Sequence, residues 1–148
     1  MFDMELYDMP QIKDWTAHVG AFNLRTFMLA NVSIAEAFSV AALLCPEFVE
    51  YRDCVFLKLF FDEKIVDSWF GQLKNDGPAV ESVVNHIHLW DFFAPASDNE
   101  NEALQVLAER MAGTWQYSAE MQFPHRRFAV EADNGSGNYG PTVVIYSA

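Results

Sequence analysis

Positive charge is scarce in this chain: nine Lys and Arg stand against twenty-one Asp and Glu, a net charge of −12. So negative a body repels nucleic-acid phosphates and anionic lipid headgroups, and neither is an expected partner. Cysteine is scarce too. Cys45, in LLCPEF, and Cys54, in DCVFLK, lack the CxxC spacing of a zinc or redox site. Two thiols do not make a disulfide framework. Both read as small core residues.

Motifs that carry chemistry are missing as well. The chain has no HExxH, no GxSxG and no dinucleotide fingerprint. NGSGNYG, residues 134 to 140, has the glycine content of a phosphate cradle. It lacks the Lys-Ser/Thr pair, and Pro141 with strand-forming residues follows where a helix should start. No basic stretch leading into an apolar run opens the chain, so MFDMELYDMP is not read as a secretory signal and a cytoplasmic location is expected. TFMLANVSIAEAFSVAALLCP, residues 26 to 46, is long enough to cross a bilayer. Asn31, Ser33, Glu36 and Ser39 dilute it and no basic flank orients it, so it is read as buried in a soluble core.

What the chain does have is apolar material. Half of its 148 residues are apolar, with thirteen Phe and four Trp, which suits one globular domain over residues 1–148. No internal repeat divides it. Residues 14–30 read as a helix weakened at Gly20. Ser33 and Glu36 form a capping box for SIAEAFSVAALL, and Pro46 ends that helix. Asp62 caps EKIVDSWFGQL, with Ile65, Val66, Trp69, Phe70 and Leu73 on one face. Pro78 suits the first turn of PAVESVVNHIHLW, residues 78–90. Ser97, Asp98 or Asn99 caps a helix carrying Leu104, Leu107, Ala108, Met111 and Trp115. Residues 47–61 fit a helix through Phe48, Tyr51, Val55 and Leu59, and a strand through Val55, Leu57, Leu59 and Phe61; the helical surroundings tip them to helix. RRFAVEAD and PTVVIYSA, on either side of the 134–140 loop, read as a β-hairpin. It needs a partner, and residues 47–61 are one candidate for a further strand. The expected fold is α+β, mainly helical with about five helices, and a C-terminal β-hairpin packed on them.

NHIHLWDFF, residues 85–93, holds the most chemistry-bearing side chains. On a helix through Trp90, His86 and His88 diverge by about 200° and cannot share an ion. That helix instead groups Glu81, Asn85 and His88, brings Asp91 one turn beyond His88, and lets His86 stack on Trp90. Both histidines then simply finish a helix, where the macrodipole favours their protonated forms. No metal ligand set, no cofactor and no catalytic residue is expected.

The acidic residues Asp91, Asp98, Glu100 and Glu102 gather near a helix N-terminus beside the aromatics of DFF. They are the expected docking residues for a basic partner protein. On this view the chain is not an enzyme but a small acidic binding protein of the inhibitor or immunity type, steered to its partner by charge. The alternative is a small-ligand-binding domain or enzyme with an aromatic pocket. It would draw on Trp69, Trp90, Trp115 or Tyr117, with His88, Trp90, Arg126 and Arg127 as ligand-binding residues. A third alternative is an oligomeric accessory protein, because the apolar fraction is high for a monomer of this size.

Overall fold

Strand β2, Cys54–Leu57, is buried along its whole length. Successive side chains of a strand point to opposite faces. Val55 and Leu57 therefore enter one apolar cluster, while Cys54 and Phe56 enter another. The computed structural model describes residues 4–136 and 139–148, and these two clusters organise most of them.

β1, Phe48–Tyr51, runs antiparallel to β2, with Tyr51 opposite Cys54. Residues 47–61 are thus centred on a β-hairpin, not a helix. The two-residue turn is Arg52–Asp53, and both residues have positive φ, 53° and 61°. Asn-Gly is the usual sequence for that turn geometry. Here distant side chains support an unusual one. The Arg52 guanidinium lies 4.1 Å from the centre of the Phe70 ring and 3.2 Å from Asp67. Arg126 donates to the Asp53 carbonyl at 2.7 Å and pairs with Glu50 at 2.9 Å.

Helices cover both faces of β2. α4, Glu63–Gln72, starts at Asp62, whose side chain accepts from the Ile65 N–H. α5, Gly77–Val84, starts at Asp76 with Pro78 in its first turn. Val66, Phe70 and Val80 from this pair bury Cys54 and Phe56. Ile65, expected on the same buried face, is exposed. On the other side lies α6, Asp98–Gln122, capped by Ser97. Its buried stripe is Leu104, Ala108, Met111, Trp115 and Ala119, at offsets of four and three.

The C-terminal hairpin forms as expected: β4, Phe128–Asp133, pairs with β5, Thr142–Ser147. Its third strand, β3, comes from His86–His88, with His88 opposite Thr142. The sheet order is β3-β5-β4. The helix expected to run to Trp90 therefore stops at Val84. Residues 47–61 form their own two-stranded sheet instead of extending this one.

Between the two sheets stand two buried polar side chains of α5 and its C-cap, Glu81 and Asn85. Asn85 accepts from the Leu57 N–H and donates to the carbonyls of Val55 and Ile145. Glu81 accepts from the Val55 N–H, and from both the N–H and the hydroxyl of Ser147. These contacts satisfy strand-edge groups that would otherwise be buried without partners.

The N-terminal part departs most from expectation. Residues 14–30 are not one helix but parts of α1, Pro10–Val19, and α2, Leu24–Asn31. Gly20, at φ 114°, separates them. Trp15 and Phe27 pack edge to face between them, 5.5 Å apart. α3, Ile34–Leu44, has the expected Ser33/Glu36 capping box. It is not buried in the core: residues 31–41 are all exposed, and Leu43 is its only buried residue. Trp115 Nε1 ties its end to the body by donating to the Leu43 carbonyl at 2.8 Å. The described residues hold six α-helices, not five, and two small antiparallel sheets. Cys45, at the end of α3, is exposed, while Cys54 is buried.

Candidate functional site

After β3 the chain turns sharply at Leu89–Asp91, anchored by the fully buried Leu89. Trp90 packs against Gly140, where a Cβ would run into the indole. Its Nε1 donates to Asn101 Oδ1 at 3.0 Å. This brace leaves Asp91 and Phe92 exposed, with Phe93 packed against the main core.

The residues that follow build a groove of about 580 Å³. One wall is Phe92–Pro95. A second is the first three turns of α6, from Glu100 to Arg110. The third is the N-terminal segment, through Met4, Leu6 and Met9. The lining is mostly apolar, with Glu5, Glu100 and Arg110 as its charged residues.

The expected docking residues lie at this end of the molecule. Glu100 lines the groove, and its carboxylate also accepts from the Ala96 N–H, so part of its charge serves the helix start. Glu102 sits one turn before Val106, a lining residue, and Asp98 one turn before Glu102. Asp91 directly precedes Phe92. Among the described residues the Asp91, Asp98 and Glu102 side chains have no hydrogen-bond or ion-pair partner. Sequence spacing found these acids. It did not find the apolar groove beside them, because one wall comes from residues some ninety positions away.

The two histidines do not diverge. On a strand both side chains take one face, and the rings lie 4.8 Å apart, centre to centre, at 56°. His86 does not stack on Trp90. His88 Nδ1 lies 3.0 Å from the Tyr139 carbonyl, which can only accept, so Nδ1 donates a proton there. Tyr139, not Asp91, is thus the partner of His88. Burial, and then the neighbouring His88, hold the His86 pKa below its ordinary value. No set of three His, Cys, Asp or Glu side chains among the described residues could hold a metal ion. The alternation of outward His86 and His88 with buried Ile87 and Leu89 was the sequence signal for this strand.

The alternative ligand residues are not brought together. His88 and Trp90 sit near the Thr142 end of β5, with Tyr139 packed against both rings. Arg126 and Arg127 lie just before Phe128, which pairs with Ser147 at the other end. Five residues of strand separate those ends, about 17 Å. Arg126 is occupied by Glu50 and Asp53. The aromatics named for a pocket are scattered too: Trp115 is fully buried, Tyr117 is exposed, and Trp69 packs with the α4–α5 cluster.

Comparison with family models, with curated proteins and with solved structures gave no match.

Proposed function

We propose that this protein binds another protein, and that it docks a basic, amphipathic segment of that partner in the groove between residues 4–9, residues 92–95 and α6. One observation carries this reading: the groove is lined by apolar side chains with two acids, Glu5 and Glu100, against one base, Arg110, and Asp91, unpaired among the described residues, directly precedes its lining residue Phe92. Such a groove suits a segment that offers apolar anchors from one face and Lys or Arg from the other. Asp91, Asp98 and Glu102 stand unpaired among the described residues, so a cation meeting them breaks no existing ion pair. The net charge of −12 adds long-range attraction for a basic partner and speeds encounter.

The test places a photo-crosslinking phenylalanine analogue at Phe92, which is exposed in the groove, and at Gln72 on α4 as a control. The expected adduct is a basic protein captured from position 92 and not from 72. With that protein purified, raising salt from about 0.05 to 0.3 M should weaken binding at least tenfold. Asp98→Lys with Glu102→Lys should also weaken it, and so should Leu6→Asp. An acidic adduct, or affinity indifferent to salt and to these substitutions, sinks the reading.

A further inference from the structure

A second unpaired apolar surface, apart from the groove, lies on the α2–α3 arm. Leu29, Ile34 and Phe38 are 89%, 79% and 75% exposed, and Leu24, Met28 and Val40 are exposed beside them. Summed over all faces of the two helices, such side chains present on the order of 800 Å² of apolar surface; a standard interface buries about as much from each partner.

Most polar side chains of the arm bond within it; among the described residues the exceptions are Arg25 and the Thr26 hydroxyl. Asn31 donates to the Phe27 carbonyl at 2.8 Å and Ser39 to the Ala35 carbonyl at 2.8 Å. Ser33 and Glu36 satisfy each other's backbone N–H groups. Covering this surface therefore strands few polar groups, which is the condition for burying it without penalty. Its charges are also balanced: between Leu24 and Leu44 there is one cation, Arg25, and one anion, Glu36.

We propose that the arm is the contact between two copies of this chain, packed face to face about a two-fold axis. Three observations select this occupant. The area matches a stable dimer contact. The arm's own charges sum to zero, so two copies meet there without the repulsion that −12 imposes elsewhere. The basic partner of the groove finds only Glu36 to pair with on this face. A bilayer fits less well. No single helix among the described residues is long and apolar enough to cross one, α2 and α3 are bent by 109°, and Arg25 alone would hold an anionic headgroup.

The experiment is sedimentation equilibrium over about 1–100 μM protein, without detergent, bracketing common dimer affinities. The expected mass is twice the 16.8 kDa of one chain. Ile34→Asp with Phe38→Asp should raise the dimer dissociation constant at least about 100-fold, since a two-fold contact buries each position twice. Both positions are exposed, so the circular dichroism spectrum and the cooperative melt should stay as in the parent. Leu59→Asp, exposed outside the arm, should leave the dimer intact. A parent protein that stays monomeric at 100 μM overturns the proposal, as does a dimer indifferent to the Ile34/Phe38 pair. Flotation of a monomer with phosphatidylcholine vesicles, abolished by the same pair, would assign the arm to a membrane instead. The groove is a separate face: Leu6→Asp should spare the dimer, and the arm variant should spare crosslinking from position 92, so each idea fails independently.

Discussion

Glu81 and Asn85 stand side by side between two strands that do not touch through their backbones, and each reaches both. Glu81 accepts from Val55 of β2 at 2.8 Å and from Ser147 of β5 at 3.0 Å. Asn85 accepts from Leu57 at 2.9 Å and donates to Ile145 at 3.2 Å. Four residues of helix rise about 6 Å. Two residues of strand, the repeat along one edge, rise about 6.7 Å. The near match lets one helix face act as a missing strand between the sheets.

Removing either side chain should therefore cost more than its size suggests. Glu81→Ala leaves the buried N–H of Val55 and the half-buried N–H of Ser147 unpaired, at about 1–3 kcal/mol for the first and less for the second. Asn85→Asp turns a donor into a charged acceptor facing two carbonyls. Urea unfolding should show losses of about 3 kcal/mol or more for both. A loss under about 0.5 kcal/mol, that of an ordinary surface change, would show that water or another group satisfies these edges.

Two glycine substitutions should act in opposite directions. Gly140 has φ 72° and lies under the Trp90 indole, so Gly140→Ala is strained and clashes. It should cost about 2 kcal/mol or more and shift tryptophan fluorescence. Gly113 is exposed in α6 with open space at its Cβ position. Gly113→Ala should stabilise by about 0.5–1 kcal/mol. Thermal melts of the two variants give the comparison.

The two thiols should differ sharply in reactivity. Burial first, and then the Glu81 carboxylate, push the Cys54 thiol up to about 11. Thiolate is the reactive form, so Cys54 should be inert in the folded protein. Cys45 is exposed. A thiol titration near pH 8 should count one fast group in the native state and a second only in denaturant. Equal rates would mean that β2 is not enclosed as described.

His86 makes stability fall on the acid side. Its folded pKa lies below the ordinary 6.5, so the unfolded chain takes up the proton first. Above about pH 6.5 both states are neutral and the group contributes nothing. As pH falls through 6.5 toward the folded pKa, stability is lost, and below the folded pKa the loss is complete. NMR titration should place the His86 midpoint below 6.5, and His88→Asn should move it upward by removing the charge of the neighbouring imidazole. A midpoint at or above 6.5 would contradict the packing of this pair.

Local signals were legible wherever the physics is local. Ser33/Glu36, Asp62 and the Ser97–Asn99 stretch announced three helix starts, because a cap needs only residues a few positions apart, and the structure picks Ser97 as the third cap. The β-prone tail paired as its alternation implied, and the α6 stripe was buried at the expected offsets. The clustering of Asp91, Asp98, Glu100 and Glu102 was visible for the same reason, since they are near neighbours in the chain, but of these only Glu100 lines the groove.

Everything decided by distant partners was hidden. The Arg52–Asp53 turn lacks the Asn-Gly pair or any glycine and is supported by Phe70, Asp67 and Arg126, so residues 47–61 looked like helix. His86–His88 is too short to declare a strand alone; β5, some sixty residues later, supplies its pairing. Residues 26–46 have a core composition, yet only the tertiary structure showed that the described residues leave 28–41 exposed. Propensity and capping act over one or two turns, and sequence determines them directly. Pairing and burial are set by which surfaces meet after closing long loops, and only the folded chain decides that.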